Sequence, residues 1–199
     1  MAKIRFFFAT MGSGKTFNLL KTAYNMERHG KKVLCFTSEV DNREKNFFPD
    51  DKKGIIATRI GLQREAWLIE RVNAFKLAEQ ERPDLVLADE VQFFDKHIMS
   101  LVMIADLLNI PVDCYGLKND FQNKLFKGSR LLLTYADELI QMETDCVLCN
   151  RTATMNLRVV DGVPVYSGQQ IAIGKINHLP TCRKCYHHPN TDKLKQIWQ

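Results

Sequence analysis

Three groups of residues carry types and spacings that can do chemistry. The first is Ala9-Thr10-Met11-Gly12-Ser13-Gly14-Lys15-Thr16, the phosphate-cradling P-loop pattern with alanine in place of its first glycine. Small residues let backbone N–H groups curl around phosphates, and a helix N-terminus adds a potential that favours anions. Lys15 can reach the outer phosphates, and the Thr16 hydroxyl can ligate Mg²⁺. A chance glycine turn before a helix is the plain alternative; a strand before and a helix after give the motif its meaning. The second group is Leu85-Val86-Leu87-Ala88-Asp89-Glu90, an apolar strand ending in two carboxylates. Asp89 is placed to hold Mg²⁺ from the far side. Glu90 faces whatever attacks the terminal phosphate: water in an ATPase, a substrate hydroxyl in a kinase.

The third group is a pair of C-x-x-C turns, Cys146/Cys149 and Cys182/Cys185. Each turn presents two thiolates on one side, and tetrahedral Zn²⁺ takes four such ligands. Four thiolates leave no open position, so the metal is structural. A redox pair or unligated thiols are the alternatives. Cys35 and Cys114 lie alone in apolar runs.

These groups need elements to position them. Ile4 to Ala9 reads as a buried strand, Thr16 to His29 as a helix closed by Gly30, and Lys32 to Thr37 as a strand. Ser38 to Lys53 reads as a polar loop. Arg64 to Gln80 has helical spacing of Ala66, Leu68, Ile69, Val72, Phe75 and Ala78, stopped by Pro83. Asp84 to Ala88 and Val112 to Leu117 read as strands around a helix from Asp95 to Asn109. Such alternation predicts an α/β fold, a parallel sheet flanked by helices, with ligands beyond the carboxyl ends of its strands. From Thr144 the character changes to short β-like stretches, 152–160 and 163–173, joined by the hairpin signal Asp161-Gly162. The expected domains are 1–143 for the nucleotide-binding part, 144–190 for a small zinc lobe, and a tail over 191–199 that fits either a helix or disorder.

With 199 residues, 45% hydrophobic and 26% charged, the chain has the composition of a globular protein. It has no apolar run of the ~18–20 residues a membrane helix needs, and its N-terminal run ends in a glycine turn rather than a cleavage-like segment. A cytoplasmic location is the expectation. A net charge of +5, spread without a block, selects no nucleic-acid partner.

Further segments point to a family. Glu90 is followed by Val91-Gln92-Phe93-Phe94; later come Tyr115-Gly116-Leu117-Lys118-Asn119-Asp120-Phe121 and Phe126-Lys127-Gly128-Ser129, and then the cysteine-bracketed lobe. This ordered set resembles the zinc-containing, type II thymidine kinases, with a RecA-like P-loop domain and a small C-terminal zinc-ribbon lobe carrying a substrate-covering lasso. The resemblance runs from about Ile4 to about Tyr186. It implies phosphorylation of the 5′-hydroxyl of thymidine or deoxyuridine by ATP with Mg²⁺, in nucleotide salvage for DNA synthesis, with Glu90 as base. It implies that Gln92 and Phe93 line the nucleoside pocket and that Leu117, Phe121 and Phe126 pack around the base. Arg43, in Asp41-Asn42-Arg43, matches an arginine beside the phosphates and sugar hydroxyl. A homotetramer and inhibition by thymidine triphosphate are implied as well.

Read on their own, the three phenylalanines default to core residues and Arg43 to a solvated one. The lasso, 173–182, departs from the family: Ile173-Gly174 has one glycine where relatives often have two, and His178 stands where a tyrosine is expected. By default His178 is a surface histidine; its position makes it a candidate for touching substrate, with Ile173 and Gly174 beside it. Lasso backbone groups read the thymine edge in the family, so thymine recognition can survive these changes. Two other classes compete: a P-loop ATPase whose zinc lobe grips nucleic acid, which lacks a basic–aromatic stripe here, and a zinc-stabilised nucleotide sensor, which needs no base.

Overall fold

The computed structural model describes residues 1–40, 50–170 and 177–198. Arg43, Ile173 and Gly174 lie outside the described residues. The chain divides into two compact units. One comprises Met1–Phe8, Gly14–Gly116 and Lys127–Ile140; the other comprises Ala9–Ser13, Leu117–Phe126 and Gln141–Gln199.

The first unit is built on β1 (Ile4–Ala9), α1 (Lys15–Arg28), β2 (Val33–Thr37), β3 (Lys53–Ala57), β4 (Gln63–Leu68), α2 (Ala74–Glu81), β5 (Leu85–Ala88), α3 (Ile98–Leu108), β6 (Val112–Leu117), α4 (Lys127–Tyr135) and β7 (Glu138–Gln141). Its strands form one seven-stranded sheet in the order β3-β4-β2-β5-β6-β1-β7. β5 and β6 are buried at every residue, the pattern of strands covered on both faces. α3 buries Ile98, Leu101, Ile104 and Ala105, one stripe at helical spacing. With Phe6, Phe36, Val86, Val91, Phe94 and Leu132 they belong to one apolar core.

Two expectations are corrected here. The sheet is not wholly parallel: β2 pairs parallel with β4 and β5, and β5 with β6, but β3 runs antiparallel to β4 at the edge. The segment 64–80 is not one helix. Its first part is β4, paired Phe36↔Trp67 and Ile56↔Arg64, and only Ala74–Glu81 is helical. Sheet pairing on both sides overrides the helical spacing of the apolar residues, and the helix begins where the Asn73 side chain accepts from the Lys76 N–H (3.0 Å). The other segments fall within a few residues of expectation, and Gly30 (φ 70°) follows α1. The helix expected from Asp95 opens as a 3₁₀ turn, Asp95–His97, before α3.

The second unit carries β8 (Met155–Val160), β9 (Val163–Val165), β10 (Asn177–Thr181), α5 (Arg183–His187) and α6 (Thr191–Trp198), with the strands in the antiparallel order β10-β8-β9. Asp161 (φ 48°) and Gly162 (φ 74°) are both left-handed, as a two-residue hairpin turn matched to strand twist requires. The tail is a helix, α6. Among the described residues no helix is long and apolar enough to cross a membrane.

Candidate functional site

β1 leads into the turn 10–14 and then directly into α1. Gly12 (φ 74°) and Gly14 (φ 79°) are left-handed, with open space where a Cβ would stand. Backbone conformation, not crowding, therefore requires glycine at both positions. Ser13 Oγ donates to the Thr10 carbonyl (2.9 Å), and the Met11 N–H donates to Asn156 Oδ1 (2.8 Å). Gly14 is the N-cap of α1; it supplies no side-chain cap, and the first turn holds no acidic residue. An N-terminus of that kind attracts an anion instead of neutralising itself internally. Lys15 is buried in the first turn and Thr16 half-buried behind it.

The carboxylates stand at the end of β5. Asp89 is buried, at 2% exposure, and its N–H donates to the Phe36 carbonyl (2.9 Å). Glu90 is half-buried with φ 54°, a left-handed conformation that costs a non-glycine residue about 1–3 kcal/mol and is sustained by its surroundings. Those surroundings are the 3₁₀ turn Val91–Phe93. The Phe93 N–H closes on the Glu90 carbonyl (3.0 Å), and the buried Gln92 amide donates to the Glu90 carboxylate. Gly116 and Gly128 give this turn its room. A Cβ on Gly128 would sit 2.3 Å from the Val91 carbonyl oxygen, and one on Gly116 2.7 Å from Gln92 Oε1. This close approach is the physical reason for glycine at both positions.

In the second unit Leu117, Phe121 and Phe126 are buried. Asp120 Oδ1 accepts from the backbone N–H groups of Gln122 (2.8 Å) and Lys124 (2.9 Å), which folds the loop, and Asp120 Oδ2 accepts from Gln170 Nε2 (2.8 Å). Tyr186 donates its hydroxyl proton to the Phe121 carbonyl (2.6 Å). His178 is not a surface histidine. It is half-buried, 6.2 Å edge-on from the Phe121 ring, and its Nε2 accepts from Arg158 Nε (3.1 Å). Burial first, and the neighbouring guanidinium second, push its pKa down from 6.5 to about 4. The ring is neutral and its proton sits on Nδ1.

Sequence reasoning missed Arg158, Asn156 and Asp120. Arg158 (3% exposed) and Asn156 (2%) share one face of β8, and Asn156 Nδ2 donates to the Asn119 carbonyl (3.0 Å). An arginine and an asparagine two residues apart in the otherwise apolar run MNLRVV were the available signal.

The four expected cysteines come together, with their sulfurs within 4.8 Å of one another. Cys149 and Cys182 Sγ are 3.6 Å apart, against a tetrahedral edge of about 3.8 Å for a zinc–thiolate distance near 2.3 Å. Cys146 and Cys182 are buried, Cys149 and Cys185 partly so. Arg151 donates to Cys149 Sγ (3.5 Å) and holds that thiol well below its ordinary value, at about 6, which favours the thiolate a metal needs. Cys182 also caps α5, its Sγ accepting from the Cys185 N–H. The donor set fits a soft tetrahedral ion.

The described residues define an α/β protein with a glycine turn feeding a helix, two carboxylates at a strand end and a four-cysteine cluster that could hold a metal ion. Sequence comparison names its family. The thymidine kinase family model matches residues 2–186. A thymidine kinase of Listeria monocytogenes serotype 4b (strain F2365) is 48% identical over 195 residues, covering 95% of this chain and 98% of the relative. Those of Lactiplantibacillus plantarum and Enterococcus faecalis are 46% and 45% identical, covering 95% and 98% of this chain and 97% and 100% of theirs. The chain belongs to the thymidine kinase family. A DNA replication initiation factor aligns at 16% identity with a TM-score of 0.45, over 73% of this chain and 41% of the other.

Proposed function

We propose that the chain transfers the γ-phosphate of ATP to the 5′-hydroxyl of thymidine or deoxyuridine. The observation that carries this reading is the end of β5: a half-buried Glu90 in a left-handed conformation, its carboxylate fixed by the Gln92 amide beside the buried Asp89. A base for a hydroxyl proton has to be held in one place, and this turn holds it. Family membership supports thymidine as the acceptor.

The roles divide as follows. Backbone N–H groups from Ala9 to Gly14 and the open N-terminus of α1 bind the phosphates, and Lys15 neutralises the outer ones. Thr16 and Asp89 supply hard oxygen ligands suited to Mg²⁺, which when bound with ATP offsets phosphate charge. Glu90 accepts the 5′-hydroxyl proton as that oxygen attacks the γ-phosphorus in line with the departing ADP oxygen. Gln92 positions Glu90 and, with Phe93, faces the nucleoside; Leu117, Phe121, Phe126 and His178 contact the base or sugar. Arg43, Ile173 and Gly174 keep the roles that the resemblance assigns them. Cys146, Cys149, Cys182 and Cys185 hold a structural Zn²⁺, which leaves the ion no open position for chemistry.

A transfer assay with ATP–Mg²⁺ and a nucleoside panel tests this, with single-stranded DNA assayed separately as an activator of hydrolysis. Thymidine-dependent formation of the monophosphate is expected. Inert nucleosides with DNA-stimulated hydrolysis would assign Glu90 to water instead.

A further inference from the structure

Arg158 is a buried charged side chain of the second unit to which the roles above assign nothing. It is 3% exposed, and removing a guanidinium from water is costly unless its donors are met. Its Nη1 donates to the Gln169 carbonyl (2.7 Å), its Nη2 to the Gln170 carbonyl (2.8 Å) and its Nε to His178 Nε2 (3.1 Å). The guanidinium carbon lies 3.4 Å from the centroid of the Phe121 ring, a desolvated cation–π contact. Gln170 Nε2 in turn donates to Asp120 Oδ2, so a carboxylate beside Phe121 closes the circuit and offsets part of the buried charge.

None of Arg158's four partners belongs to the apolar cluster of the lobe or to the cysteine set. Its bond to His178 joins β8 to β10 within the lobe, and its contact with the Phe121 ring reaches the loop after β6. Arg158 thus joins residues on both sides of 171–176 to the ring of Phe121. We infer that Arg158 is a positioning residue for nucleoside binding: it fixes Gln169, Gln170 and His178 against Phe121. The inference deepens the proposed function and rests on it. Only a rigid three-way fork does this; a lysine in the same place offers one point charge and cannot reach two carbonyls and an imidazole together.

The test compares the metal-loaded full chain with its Arg158→Gln and Arg158→Lys variants. KM for thymidine, KM for ATP and kcat are measured together with metal content by elemental analysis. Arg158→Gln is expected to raise the thymidine KM by about tenfold or more, the scale of one lost charge-assisted hydrogen bond. The ATP KM and the metal ratio should stay within about twofold, and Arg158→Lys should not restore the thymidine KM. An unchanged thymidine KM, or equal rises in both KM values, overturns the inference. Should Arg158→Gln fail to fold, Arg158→Lys decides, because it keeps the charge and loses the fork: a thymidine KM equal to that of the unaltered chain overturns the inference. Failure of the unaltered chain to phosphorylate thymidine removes the underlying reading, and the inference with it.

Discussion

The sheet unit and the cysteine lobe hold themselves together by different means. The sheet packs Phe6, Phe36, Phe94, Ile98, Leu101 and Ile104 into one large apolar core and also buries polar side chains such as Thr37, Asp89 and Asp113. The lobe's cluster is small: Leu148, Ala153, Leu157, Val159 and Leu194, closed by Tyr186 and by two of the four cysteines. The opposite face of β8 carries the buried pair Asn156 and Arg158, each bound to specific partners. Apolar burial is non-directional and tolerates local change, so the sheet can offer strand ends, and a strained turn such as Glu90, on a firm base. A lobe closed by thiolates and directed hydrogen bonds tolerates little. Its geometry rests on a four-cysteine cluster that fits a metal ion and on named donors, which exposes it to single substitutions.

The sharpest test of this contrast inside the sheet unit is Gly128→Ala. The added Cβ meets the Val91 carbonyl oxygen at 2.3 Å, which is backbone and cannot swing away. Displacing the turn that carries Glu90, Gln92 and Phe93 should lower kcat by up to about 10²-fold and raise the thymidine KM, with metal content retained. A kcat within twofold of the unaltered chain, by steady-state assay, would break the link between helix α4 and the Glu90 turn.

Cys182→Ser acts on the other side of the comparison. Loss of one thiolate should release the metal, and with it the order of the lobe, raising the thymidine KM by about tenfold and the ATP KM by less. Elemental analysis giving an undiminished zinc ratio would refute the assignment. Leu101→Ala makes the matching change in the sheet. It should cost about 2–5 kcal/mol in denaturant unfolding while zinc stays bound, because the cavity lies in a core that no metal supports.

The smallest expected effect is with pH. His178 has a folded pKa of about 4 against 6.5 when unperturbed, so between those values the unfolded chain binds a proton the folded chain does not. Stability therefore falls as pH drops from 6.5 toward 4, and no contribution of this kind remains above 6.5. A His178→Gln variant should lose part of that acid limb in thermal melts at stepped pH; identical limbs would mean the imidazole is protonated without penalty.

Much of this was legible in the sequence. Apolar runs ending in glycine or paired carboxylates located β1 and β5, and the two C-x-x-C turns named the four cysteines that the fold brings together. Asp161-Gly162 announced its hairpin. The misses have physical causes. Gln63–Leu68 became a strand because β2 and β3 pair with it, a long-range fact that local periodicity does not contain. Gly116 and Gly128 gave no local sign of backbone crowding against residues some two dozen or more positions away. Arg158 and His178 are joined across β8 and β10, and neither side chain advertises burial on its own.

The central claim is that Glu90 takes the proton from the nucleoside hydroxyl within a site that binds its ligands independently of that carboxylate. The direct measurement is kcat for Glu90→Gln, alongside the dissociation constants of ATP and thymidine by titration calorimetry. The account predicts a loss in kcat of about 10²-fold or more with both dissociation constants nearly unchanged. A near-normal kcat, or a loss explained by weakened binding of either ligand, would contradict it.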